Sequence, residues 1–204
     1  PATLLPHAPP GRATDLTLQA EGNGADFSAD GGLTWHDGRY GDWALTLRAV
    51  RTGAQWELPA FQLRSLHGDT SVGGHAQARF ADGAVRDYLL EAHWLNLRWP
   101  PVSGGGRAIS PQGTLRLSGR DTAHYDYALS GTLQPPQVPP LTLTLSGRGD
   151  RDGVRIDALA SDWLHGRWAG QGQFAWTPVP QWDIALTAHG VDPAALRPGF
   201  DGQL

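Results

Sequence analysis

The chain has 204 residues, a formal net charge of −4, a hydrophobic share of 40%, no cysteine and no methionine. That hydrophobic share is too large for a disordered chain, and no apolar run approaches the roughly 18 residues that cross a bilayer as a helix. Without cysteine there is no disulfide framework, thiolate nucleophile or sulfur-ligated zinc, and the 16 basic residues, all arginines scattered singly, track no phosphate backbone.

Residues 1–12 are proline-rich and read as a leading segment. From 13 to 204 the dominant period is two, the mark of strands with one apolar and one polar face, so this stretch is expected to be one continuous β region. A first hairpin is expected around 31–48, where Gly31-Gly32-Leu33-Thr34-Trp35 returns on Trp43-Ala44-Leu45-Thr46-Leu47. Further hairpin repeats follow around 56–99, 113–133 and 141–190. Asn23-Gly24, His36-Asp37-Gly38, Asp82-Gly83, Gly119-Arg120-Asp121 and Asp150-Arg151-Asp152-Gly153 are the turns, with Asp-Gly supplying the positive-φ positions of tight hairpins. The 27 glycines and 16 prolines are accordingly assigned mostly to turns. Ser103-Gly104-Gly105-Gly106 reads as a loop. The run from Gln134 to Pro140 reads as an edge crossing between strands, because proline cannot pair inside a sheet. A single helical turn is expected at 192–196, with Asp192 as N-cap, Pro193 at the first helical position and Pro198 as a stop.

Internal repetition is the most informative feature. Trp56 to Gly68 and Val154 to Gly166 align at an offset of 98 and share Leu-His-Gly, at Leu66-His67-Gly68 and at Leu164-His165-Gly166. After each comes a glycine-led strand, Gly74 to Ala78 in one and Gly172 to Trp176 in the other. The even separations of Trp35 from Trp43 and of Trp176 from Trp182 return each aromatic to one face. Such hairpins cannot bury an apolar face singly, so successive units must share one interior, closed as a barrel or sandwich or partly open as a trough.

The segment Gly166 to Leu204 carries a Gly-x-Phe-x-Trp strand ending at Trp176, a proline-containing turn, Trp182-x-Ile-x-Leu186, then Val191-Asp-Pro-Ala-Ala-Leu196-x-Pro and Gly202-x-Leu. It resembles the repeat of the TamB and AsmA-like bridge family. The resemblance implies an all-β fold of repeated antiparallel hairpins forming an elongated, partly open, taco-like trough with almost no helix. It further implies an internal periplasmic fragment of an inner-membrane-anchored Gram-negative envelope protein. The family is associated with assembly of outer-membrane proteins, autotransporters among them, and with phospholipid transport between membranes. The implied partners are acyl chains or unfolded outer-membrane-protein strands, and a TamA-like Omp85-type protein met through regions outside this chain.

Enzymatic motifs are not legible. There is no Gly-x-Ser-x-Gly elbow, and no lysine for a phosphate loop or Schiff base. Asp150-Arg151-Asp152-Gly153 with Asp157 has the flavour of a calcium loop, but Val154 and Ser161 stand at ligand positions. The eight histidines lack metal spacing, and His67 and His165 recur as turn residues. The expectation is a chain without catalytic residues, metal or cofactor, whose apolar groove is lined by Trp43, Leu45, Leu47, Leu115, Leu117, Tyr125, Tyr127, Leu129, Leu141, Leu143, Leu145, Phe174, Trp176, Trp182, Ile184 and Leu186. The competing readings are a packed spacer and a carbohydrate-binding β-sandwich with exposed tryptophan platforms.

Overall fold

Alternating side chains suit a strand whose two faces meet different surroundings, and here each strand finds its partner in the next segment of the chain. The structure, a computed structural model, describes residues 12–37, 41–99, 108–177 and 179–195. Twelve strands follow one another: β1 (Arg12–Gly22), β2 (Asp26–Asp37), β3 (Gly41–Thr52), β4 (Gln55–Ser65), β5 (Ser71–Ala81), β6 (Ala84–Trp99), β7 (Ala108–Gly119), β8 (Tyr125–Leu133), β9 (Leu141–Gly149), β10 (Gly153–Trp163), β11 (Gly166–Ala175) and β12 (Gln181–His189). They form one antiparallel sheet in strict chain order, with β1 and β12 as its edges. The sheet is open and unclosed, and the only helix among the described residues is the short 3-10 turn Pro193–Ala195.

The turns follow their residues. Asp82 and Gly83 take φ values of 52° and 75° between the opposed Ala81 and Ala84, the left-handed pair that Asp-Gly supplies without strain. Between β10 and β11 the same job falls to Leu164 and His165, at φ 54° and 63°, neither of them a usual turn residue. A local packing unit holds this turn. The Asp192 amide donates to the Leu164 carbonyl at 2.8 Å, and Leu164 and Val191 are both buried. The Asp192 carboxylate accepts from the Ala194 amide at 2.9 Å, so it caps the 3-10 turn as its sequence position suggests.

The 98-residue repeat proves to be a unit of six strands. The offset carries Gln55–Ser65 onto Gly153–Trp163 end for end. Each strand holds an extra residue at the same place, between Leu58 and Phe61 in β4 and between Ile156 and Leu159 in β10. A bulge of this kind re-phases the strand, so apolar residues three apart still share a face.

Two expectations change. Glycine is not mainly turn punctuation: Gly31, Gly74, Gly113, Gly131, Gly147, Gly170 and Gly172 lie within strands on the apolar face. Trp182 is paired with Phe174, whose ring centroid lies 6.1 Å from that of Trp176. The Trp176 amide and indole N–H donate to the carbonyls of Asp152 and Arg151 on the neighbouring turn. The proline run 134–140 joins two adjacent strands in mid-sheet, β8 and β9, rather than running along a sheet edge. The expected loop 103–106, Pro198 and most of the leading segment lie outside the described residues.

No large side chain among the described residues is fully enclosed, and the buried apolar ones are Ala29, Leu164 and Val191. The fold therefore rests on ladder hydrogen bonds and on cross-strand pairs worth about 0.2–1 kcal/mol each, not on a two-layer core.

Candidate apolar binding face

Residues directly opposed in an antiparallel ladder point to the same side, so the register traces each face without ambiguity. One row crosses every strand: Leu18, Gly31, Leu47, Phe61, Gly74, Ala92, Leu115, Leu129, Leu145, Leu159, Gly170 and Leu186. It contains no polar side chain. At about 4.8 Å per strand the row is about 53 Å long.

A parallel row two residues away runs from Leu33 through Leu45, Leu63, Val72, Trp94, Gly113, Gly131, Leu143, Ser161 and Trp168 to Ala188. On the other side Leu58, Ala76, Leu90, Leu117, Tyr127, Gly147, Ile156, Gly172 and Ile184 form a third. The register thus brings together on one face the strand residues expected to line a groove, and Trp176, just beyond β11, packs its ring against Phe174 of that face at 6.1 Å between centroids. Tyr125, Phe174 and Trp182 lie at one margin of this face, and Trp43 and Leu141 at the other. Sequence reading missed Leu18, Leu33, Phe61, Leu63, Val72, Leu90, Leu159 and Trp168 as members. The bulges hid those of β4 and β10, and the periodicity of two holds only on either side of each.

Large residues alternate with glycine across neighbouring strands. A Cβ added to Gly113 would enter the ring of Trp94, and one on Gly149 would enter that of Tyr125. Others would meet backbone: the Cβ of a residue replacing Gly74 would lie 2.9 Å from the Ala92 Cα, and that of one replacing Gly172 would lie 2.5 Å from the Asp183 oxygen. Aromatic rings thus lie down over glycines and pave the face. The Trp94 indole is fixed there by donating to the Ser110 hydroxyl at 2.8 Å, which in turn donates to the Thr132 carbonyl at 2.7 Å.

The opposite face is polar. A row from Thr17 through Thr46, Gln62, His93, Thr114, Ser130 and Thr144 to Thr187 backs the central apolar row. Glu91 is held there between Arg116 at 2.6 Å and His75 at 3.0 Å. Two adjoining depressions of about 870 and 630 Å³ lie between polar rows on this side. The exposed edge residues of the apolar face are Leu18 at 69%, Leu186 at 52% and Trp182 at 71%. No cluster of three or more His, Asp or Glu among the described residues could hold a metal ion.

A family model described as TamB, N-terminal domain, matches residues 86–204, which is more than half of the chain. The chain belongs to the TamB family. The match runs from β6 through the bulged strand β10 to the 3-10 turn, so it takes in the second Leu-His-Gly turn and the capped Val191-Asp192 segment. TamB membership places the chain among Gram-negative envelope proteins, in a family of non-enzymatic bridge- or transport-type proteins. No solved structure matches the chain.

Proposed function

We propose that this TamB-like chain is a periplasmic segment of an inner-membrane-anchored bridge and that its apolar face carries phospholipid acyl chains between the membranes. The observation that carries the reading is the unbroken apolar row across all twelve strands. A hydrocarbon chain moving along it exchanges one apolar contact for another, avoiding about 0.8 kcal/mol of transfer cost per methylene at each step. No covalent chemistry, metal or cofactor enters the mechanism.

The half-exposed face supports a groove over a packed spacer, since a spacer needs no uncovered apolar stripe. The carbohydrate-platform reading finds little support, because Trp35, Trp43, Trp56, Trp94, Trp163, Trp168 and Trp182 sit on the apolar face and not among the polar rows. A TamA-like Omp85-type partner would be met outside this chain.

The test is a photo-crosslinking residue at Leu143 or Leu186, with controls at Thr142 and Thr187, in the protein in its host cells. Lipid adducts at the leucines and not at the threonines are expected. Equal labelling of both sets, or none, refutes the conduit.

A further inference from the structure

The apolar face is banded along the strand direction as well as continuous across it. Near the rim formed by the β1–β2, β3–β4, β5–β6, β7–β8, β9–β10 and β11–β12 turns lie Phe27, Trp56, Phe80, Tyr88, Tyr125 and Trp182. Near the opposite rim lie Trp35, Trp43, Trp94, Trp163 and Trp168. Phe27 and Trp35 on β2 are eight residues apart, about 27 Å, and Tyr88 and Trp94 on β6 are six apart, about 20 Å. The three Leu- and Gly-rich rows, the second of which carries Trp94 and Trp168, are together about 14 Å deep, close to half of the ~30 Å hydrocarbon thickness of a bilayer and so to the depth of one leaflet.

The two bands differ in what their polar atoms do. In the second band three indole N–H groups turn into the protein: Trp94 donates to Ser110 at 2.8 Å, Trp163 to the Pro139 carbonyl at 3.1 Å and Trp168 to the Trp163 carbonyl at 3.3 Å; at the first rim that of Trp176 does so, donating to the Arg151 carbonyl at 2.6 Å. In the first band the Trp56 and Trp182 indoles and the Tyr88 and Tyr125 hydroxyls, among the described residues, have no hydrogen-bond partner within the chain. That band also holds the one charged side chain on the rows traced, Arg51. Its guanidinium lies 5.4 Å from the Trp56 ring centroid and donates to the Gly53 and Gly24 carbonyls at 3.0 and 2.9 Å.

Resting on the acyl-chain reading above, we propose that the face is polar in sense: a phospholipid lies with its phosphate-bearing head at the Trp56–Tyr88–Tyr125–Trp182 rim and its chain ends toward the tryptophan-only rim. The free donors and the arginine suit an acceptor-rich, negatively charged phosphate, and aromatic rings with one wet edge suit the boundary between head and chain. The second rim offers apolar ring surface on which the Trp94, Trp163 and Trp168 donors are already used.

The experiment places a benzophenone amino acid at Val154 near the first rim, at Leu143 on the second row or at Leu133 near the second rim. The purified full-length protein is then photolysed with phosphatidylethanolamine–phosphatidylglycerol vesicles, and adducts are mapped by fragmentation mass spectrometry. Val154 is expected to label the glycerol or the first chain carbons, Leu143 the middle of the chain and Leu133 its methyl end. Removing only hydroxyls, with Tyr88→Phe and Tyr125→Phe together, should scatter the Val154 adducts along the chain and reduce lipid retention about fivefold. Adducts at Leu143 with head-proximal labelling equal at both rims, or reversed, overturn the proposed sense and leave the conduit standing. No adduct at Leu143 overturns the conduit and the orientation with it.

Discussion

Replacing Gly74 with alanine tests whether the glycines of the apolar face are there to make room. The added Cβ would penetrate the Glu91 carbonyl oxygen and lie 2.9 Å from the Ala92 Cα and 3.0 Å from the Glu91 carbonyl carbon. These are backbone atoms of the paired strand, so relief requires β5 and β6 to part locally. Overpacking of this sort costs about 1–3 kcal/mol. Restricting the unfolded chain returns about 0.4–1 kcal/mol, leaving a net loss of about 1–2 kcal/mol. For a chain of this size each kcal/mol shifts Tm by roughly 2–4 °C, so Gly74→Ala should melt about 2–8 °C lower. Gly32→Ala is the control. Gly32 faces the polar side, where the nearest atom to the new Cβ is the Thr17 hydroxyl at 3.0 Å, a group that can rotate away. It should be neutral or stabilising by a few tenths of a kcal/mol. Both variants melt under scanning calorimetry beside the parent. Equal shifts in the two would refute the idea that crowding on the apolar face selects glycine there.

Leu145→Asp, on the central row, should lose lipid adducts at Leu143, whereas Thr144→Asp on the opposite face should retain them; photo-crosslinking reads both. Val191→Ala should loosen the Leu164-His165 turn by about 1–2 kcal/mol, seen as faster hydrogen exchange of the Asp192 amide. The Asp121 carboxyl is held below the usual aspartate range by accepting from the His124 and Ala123 backbone amides, with His124's side chain adding to the effect. A depressed carboxyl stabilises above its ordinary titration and loses that contribution as pH falls through the depressed value. Exchange at the Ala123 and His124 amides should therefore speed up only in strongly acidic solution, and Asp121→Asn, which cannot ionise, should abolish that pH-dependent step.

Much of the face was legible in the sequence because period two survives wherever a strand is regular, as in Leu141-Thr142-Leu143-Thr144-Leu145. It was lost wherever the backbone takes an extra step. In β4 the apolar residues move from even to odd numbers between Leu58 and Phe61, and β10 does the same between Ile156 and Leu159. In β1 the irregularity between Thr14 and Thr17, with Asp15 at φ 50°, masks Leu16 and Leu18. β5 hid for another reason: Gly74, Ala76 and Ala78 are face residues too small to announce themselves. The rim-to-rim difference in indole bonding depends on Pro139 and Ser110, partners that no local pattern connects to Trp163 or Trp94.

The matched bulges of β4 and β10 bear on how such a chain can change length. Because each strand touches only its neighbours, a whole block of six strands could be duplicated or deleted with every surviving contact kept, at about 29 Å of reach per 98 residues. Removing one residue from a bulge would instead turn half a strand inside out. Span is thus adjustable in coarse steps while the lining is protected from fine ones, and a lineage could match the distance it must bridge by counting modules.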